Sequence, residues 1–153
     1  MPRTITNIMQ LPRNPGHSAP TYTIIPSDLS EARRVQDQIG QRLLANGCHG
    51  RELFGIQTAL EEALVNAIKH GNQYDRSRTV QIAYRLLPDR FEVRITDEGT
   101  GFDPNDVPDP TAIENLERPC GRGLMLMRHY MTEVTFNQCG NTVTMCKELR
   151  NDK

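Results

Sequence analysis

Glu62 and Asn66 stand four residues apart in Glu62-Ala-Leu-Val-Asn66, a segment that reads as helix. At about 100° per residue the two side chains lie one above the other on one helix face. A carboxylate beside a neutral amide oxygen suits a Mg²⁺–phosphate site. Mg²⁺ takes one or two protein oxygens and completes its shell with phosphate and water, while the carboxylate can orient or deprotonate a nucleophile. A solvated face or an i,i+4 hydrogen bond would look the same. A second signal, Asp97-Glu-Gly99-Thr-Gly101-Phe102, directly follows a strand-like run. Asp97 can accept from an exocyclic amine or a backbone amide, and Gly99 and Gly101 let the chain turn tightly against a flat ligand. An ordinary Asp-Gly turn is the plainer reading. The third signal, Cys120-Gly121-Arg122-Gly123-Leu124, opens a helix. Unobstructed N–H groups and the helix dipole favour an anion there, and a triphosphate fits, although many glycine-rich helix starts are simple caps. Each signal is weak alone; their order and separation make them specific.

The elements that must position these residues can be read from periodicity. The domain is expected to start with Tyr22-Thr-Ile-Ile25, a short strand stopped by Pro26. Asp28 and Glu31 have capping-box spacing ahead of a helix whose core stripe is Ala32, Val35, Ile39 and Leu43, with Gly47 placed to end it. A second helix is predicted from about Arg51 to His70, with Leu53, Ile56, Leu60, Leu64 and Ala67 as its stripe and Gly71-Asn72 as its end. Glu62 and Asn66 fall off that stripe, on the side away from the core. Residues 79–86 and 90–97 alternate with period two around Leu87-Pro88-Asp89 and predict a hairpin. A third helix is predicted from about Arg122 to Met131, and strands over 133–138 and 142–149 close the domain. The implied architecture is α+β: a two-layer α/β sandwich with a mainly antiparallel sheet and helices on one face. Residues 1–20, with Pro2, Pro12, Pro15 and Pro20, read as a tail, 21–149 as one domain, and 150–153 as a short C-terminal tail.

Composition narrows the function classes. The 153 residues carry 18 Lys plus Arg against 19 Asp plus Glu, a formal charge of -1 that lacks the basic excess of a general nucleic-acid binder. Aromatics are 5% with no Trp, which argues against stacking platforms for single strands. The longest apolar run, Leu124 to Met127, is too short to span a membrane, and no signal peptide is visible, so a cytoplasmic protein is expected. Cys48, Cys120, Cys139 and Cys146 form no C-x-x-C pair and read as reduced thiols. The charges are segregated: seven acids and no Lys or Arg lie between Ile95 and Glu117, in a stretch broken by Pro104, Pro108 and Pro110. A loop of that length inside a domain is usually functional or disordered.

Taken together, the three motifs resemble those of the GHKL ATPase superfamily, shared by histidine kinases, type II topoisomerases and heat-shock chaperones. Within it the chain is most similar to the small anti-sigma-factor serine/threonine kinases. Glu62 to Gly71 matches their N-box, Asp97 to Phe102 the first glycine box and Gly121 to Met127 the second, and the likeness spans about residues 21–149. The resemblance implies the Bergerat fold with ATP and Mg²⁺ as cofactors. It implies that Asn66 binds Mg²⁺ and that Glu62 is the general base on a partner's serine; Glu61 does not stand at i,i+4 from Asn66. Asp97 would contact the adenine amino group, with Gly99 and Gly101 shaping the pocket, and Gly121, Arg122 and Gly123 would place amides on the phosphates. Thr142 matches a family threonine near the adenine, or is a plain strand threonine. His70 is expected to pack or cap the helix end. Arg118 could reach the γ-phosphate or stay solvated, and Pro119 and Cys120 depart from the best-known members. The acidic loop would be a lid.

The implied function is that of an anti-sigma regulator. It phosphorylates a serine on a STAS-type anti-sigma antagonist, sequesters a sigma factor, and touches neither nucleic acid nor membrane; a homodimer belongs to the same picture. Two rival readings share the motifs: a non-catalytic ATP-dependent binding module, and the detached catalytic domain of a histidine kinase. Glu62 favours the enzyme, because a pure binder needs Asn66 and the glycines but no base.

Overall fold

A computed structural model of the chain describes residues 19–99 and 119–150. Strand β1 (Thr21–Pro26) leads into helix α1 (Leu29–Ala45), and α2 (Gly50–Val65) continues into a π-helical turn at Asn66–Gly71. The hairpin β2 (Thr79–Leu86) and β3 (Arg90–Thr96) follows; α3 (Pro119–Tyr130), β4 (Glu133–Phe136) and β5 (Thr142–Glu148) complete the order. The five strands form one antiparallel sheet in the order β1-β2-β3-β5-β4. Central strand β3 therefore pairs with its hairpin partner on one side and with the final strand on the other.

Period-two alternation sends Val80, Ile82 and Tyr84, Phe91, Val93 and Ile95, and Val143 and Met145 to one sheet face. Those side chains meet the apolar stripes of α1 (Val35, Ile39, Leu43) and α2 (Ile56, Leu60, Leu64) and α3's Leu124 and Met127, all at 5% exposure or less except Val143. The opposite face leaves Tyr22 and Ile24 exposed and carries a buried cross-strand ion pair, Arg85 to Glu92 at 2.7 Å. This is the α+β sandwich expected from the sequence.

Local signals explain most element ends. Asp28 caps α1 by accepting from Ser30 N at 2.8 Å. The capping box is not completed: Glu31 pairs with Arg34 at 2.8 Å, and the Asp28 N–H donates to the Pro26 carbonyl. Gly47, at φ 89°, takes the left-handed position after α1. α3 begins at Pro119, earlier than the Arg122 expected from the glycine pattern. Proline at the first helical position loses no intrahelical bond, so it extends the helix backwards.

Candidate functional site

The second helix changes character at Asn66. α2 is ordinary α-helix through Val65; from Asn66 to Gly71 the backbone widens into a π turn, closed by Asn72 N donating to the Ala67 carbonyl at 2.8 Å, five residues back. Such single π turns occur mostly inside α-helices and often at functional sites. The chain leaves it through two consecutive left-handed residues, Gln73 (φ 52°) and Tyr74 (φ 59°), a conformation that side chains with a Cβ rarely adopt.

Glu62 and Asn66 are half-buried, because α3 covers part of their face. α3 packs antiparallel against α2, with the bare faces of two glycines at the contact: Gly55 lies under the Tyr130 ring, and Gly123 lies on Glu62 and Asn66. A Cβ on Gly123 would stand 2.9 Å from both Glu62 Oε2 and Asn66 Nδ2, so any side chain there would displace these two groups. The first and third motifs are thereby joined. Burial, reinforced by the negative charge of Glu61 and opposed by Arg122, raises the Glu62 carboxyl above the ordinary glutamate range. Arg122 itself is exposed. Gly121 lies in the first turn of α3, where backbone N–H groups lack intrahelical acceptors.

Beside this contact a cavity of about 150 Å³ opens between the π turn and the sheet. Asn66, His70 and Gly71 form one wall, and Ile95, Asp97 and Thr142 form another. The Asp97 carboxylate is held in place: Oδ1 accepts from Gly99 N at 2.8 Å, and the Asp97 N–H donates to the Asn141 carbonyl at 2.9 Å. Burial raises its carboxyl, while the Gly99 amide and Arg78 pull the other way. A Cβ on Gly71 would strike that carboxylate, and one on Gly99 would strike the Gly71 carbonyl. The two glycines let the Asp97 turn and the π turn interlock. Thr142 Oγ1 donates to Thr96 Oγ1 at 3.0 Å across the β3–β5 ladder. His70 lines the cavity as well as ending the helix, and burial with Lys69 nearby lowers its imidazole pKa, favouring the neutral ring.

The described residues thus bring Glu62, Asn66, Arg122 and Gly123 together at the α2–α3 contact, and Asp97, Gly99 and Thr142 together around the cavity that Asn66 also lines. Gly101, Arg118 and most of the acidic stretch lie outside the described residues. From the sequence, Gly71 and Asn72 end the helix, Ser27 opens the cap segment and Asn141 links the last two strands; none of the four is read there as supporting Asp97. Asn72 is fully buried and hydrogen-bonded to three elements, a signal that only a buried-polar census could have given.

A family model, the histidine kinase-like ATPase domain, matches residues 25–147. The chain belongs to that family. Among its relatives in this GHKL family, the serine-protein kinase RsbW of Bacillus subtilis (strain 168) is 33% identical over 109 residues, covering 67% of this chain and 68% of that protein. The anti-sigma F factor of Priestia megaterium is 36% identical over 109 residues, covering 67% of this chain and 74% of that protein. The fold matches the crystal structure of the RsbU and RsbW domains of Rv1364c from Mycobacterium tuberculosis, with a TM-score of 0.58 at 18% identity. That match covers 87% of this chain, which spans about a third (32%) of the other. Relatives named as a serine-protein kinase and as an anti-sigma F factor give the chain a family-level role of that kind.

Proposed function

We propose that this chain, through one ATP-binding domain at residues 21–149, transfers the γ-phosphoryl group of ATP to a serine or threonine of a STAS-type anti-sigma antagonist. In the same reading it holds a sigma factor when the antagonist is phosphorylated, and it works as a homodimer. The observation that carries the reading is the Gly123 contact: a helix start of the kind that binds phosphate lies directly on a carboxylate and an amide. The residues fit a magnesium nucleotide. Among the described residues Asp97 has a carboxylate oxygen left for an exocyclic amine, Gly71 and Gly99 bring no side chain to that end, and Asn66 offers a neutral oxygen beside Glu62.

Mg²⁺, when bound, would neutralise charge on the phosphates. Asn66 is its candidate protein ligand, and Gly121, Arg122 and Gly123 place the phosphates at the start of α3, with Gly123 supplying the room. Asp97, Gly99 and Thr142 would form the base end. Glu62 accepts the proton of the attacking hydroxyl as its oxygen bonds to the γ-phosphorus and the bond to ADP breaks. A base with a raised pKa keeps more affinity for that proton than an ordinary glutamate. The rest is positioning and charge neutralisation, which phosphoryl transfer mainly requires.

The experiment is a pull-down with Mg-ATP and with Mg-ADP, followed by identification of bound and phosphorylated proteins. A STAS protein phosphorylated on serine or threonine by the wild type, and not by Glu62→Gln, supports the reading. Equal phosphorylation by both proteins sinks the assignment of the base. A histidine-phosphorylated partner overturns the serine kinase in favour of a histidine kinase catalytic domain, and nucleotide-dependent capture without phosphorylation favours a non-catalytic module.

A further inference from the structure

Asn72 is 0% exposed and uses its side chain completely. Nδ2 donates to Ser27 Oγ at 2.9 Å and to the Thr79 carbonyl at 3.0 Å, while Oδ1 accepts from Glu98 N at 2.8 Å. Ser27 Oγ in turn donates to the Arg78 carbonyl at 2.8 Å. One buried amide therefore joins the end of β1, the start of β2 and the turn that follows β3. A buried amide is expensive unless every partner is present, so this network has one satisfied arrangement.

Its attachment to Glu98 N fixes the peptide plane between Asp97 and Glu98. The Asp97 carboxylate is then oriented from three sides: by that peptide, by Gly99 N on Oδ1, and by its own N–H on Asn141. On the other side, the π turn and the left-handed pair Gln73 and Tyr74 aim Asn72 inward, with Tyr74 N donating to the Ile68 carbonyl at 2.9 Å. Backbone strain beside a buried polar hub belongs to structures that over-determine a site.

We infer that Asn72 is the positioning residue for base selectivity, holding the Asp97 turn so that its carboxylate meets the exocyclic amine of an aminopurine nucleotide. This rests on the reading of Asp97 as the base contact. Inosine triphosphate separates the two ideas, because its base carries a carbonyl in place of the amine and is otherwise close to adenine. A general loosening of the fold weakens both nucleotides alike. Loss of positioning weakens ATP and leaves ITP nearly unchanged.

The test is calorimetric binding of Mg-ATP and Mg-ITP to the full chain. Wild type is expected to prefer ATP by about 10- to 100-fold, the value of a hydrogen bond to a charged group. Asp97→Ala brings that ratio to about one, as loss of that bond requires. Asn72→Leu, which keeps the branched shape but has neither acceptor nor donor, lowers the ratio at least about threefold. Should Asn72→Leu not fold, Ser27→Ala decides, since it removes one anchor of Asn72: the ratio falls about twofold if Asn72 positions the turn. A wild type that binds ATP and ITP equally overturns the Asp97 reading and this inference with it. A wild-type preference that survives intact in Asn72→Leu, or in Ser27→Ala where that variant decides, overturns this inference alone, as does an equal loss of both nucleotides.

Discussion

Gly123 rests on Glu62 with no room for a methyl group between them: a Cβ there would lie 2.9 Å from Oε2. The start of α3 and the carboxylate on α2 are thus one unit. Gly123→Ala is expected to displace Glu62 and Asn66 by a few tenths of an ångström. A misplacement of that kind costs far more in transfer than in folding, so phosphorylation should fall by about tenfold or more. Comparing phosphorylation rate with thermal midpoint checks this; a midpoint that falls in step with the rate would contradict it.

The acid dependence of activity and of stability should have opposite origins. In the proposed role Glu62 acts as a base only when ionised, and burial raises its carboxyl, so transfer should rise with pH across a limb displaced above the ordinary glutamate range. Because the folded state holds that proton more tightly than the unfolded chain, ionising Glu62 costs stability as pH rises from 4.5 through the raised value. Asp28 has the reverse sign. Its bonds to Ser30 and Arg76 lower the carboxyl from 3.8 to about 2, so its contribution is present above 3.8 and disappears as pH falls through about 2. Thermal midpoints against pH should therefore converge with wild type in acid and separate from it as pH rises, Glu62→Gln lying above wild type and Asp28→Ala below it.

The strained exit from the π turn offers a stabilising substitution. Gln73 is exposed and left-handed at φ 52°, a conformation costing a side-chain-bearing residue about 1–2 kcal/mol. Gly avoids that cost but adds unfolded-state entropy of about 0.5–1 kcal/mol. Gln73→Gly should therefore gain up to about 1 kcal/mol in denaturant unfolding with no loss of nucleotide affinity.

Arg85 and Glu92 form a buried cross-strand pair on the sheet face away from the helices, with side-chain exposures of 5% and 10%. Arg85 Nε has no partner, so the pair is not fully compensated. Glu92→Ala leaves a guanidinium buried and should cost about 3–5 kcal/mol, while joint replacement by Met and Leu should restore most of the loss. Urea unfolding of the single and double variants measures the difference.

Among the described residues the sequence located the five strands and the three α-helices because their signals are local: alternation in β2 and β3, stripes in α1 and α2, Gly47 after α1. What it missed are matters of approach between elements. Nothing in Asn66-Ala-Ile-Lys-His70-Gly71 marks a five-residue hydrogen bond rather than a four-residue one, because side-chain periodicity over six residues cannot distinguish the two. The i,i+4 spacing placed Glu62 and Asn66 on one face correctly, but that face looked free because the partner covering it, Gly123, has no side chain to advertise a contact. The same holds for Gly55 beneath Tyr130. Asp97 was legible from its position after a strand; its support by Asn72 was not, because an asparagine after His-Gly reads first as a helix stop.

Sheet order also has a consequence for synthesis on the ribosome. Glu62, Asn66 and Asp97 are translated before residue 100, whereas Gly123, Asn141 and Thr142 come after residue 118, and β5 joins the two halves by pairing with β3. Asp97 receives its Asn141 partner only when that last strand docks. A nascent chain stopped before β5 can form the β2–β3 hairpin and α2 yet lacks one wall of the cavity. The cavity is therefore complete only once translation has passed β5, which supplies Thr142 and brings Asn141 to Asp97.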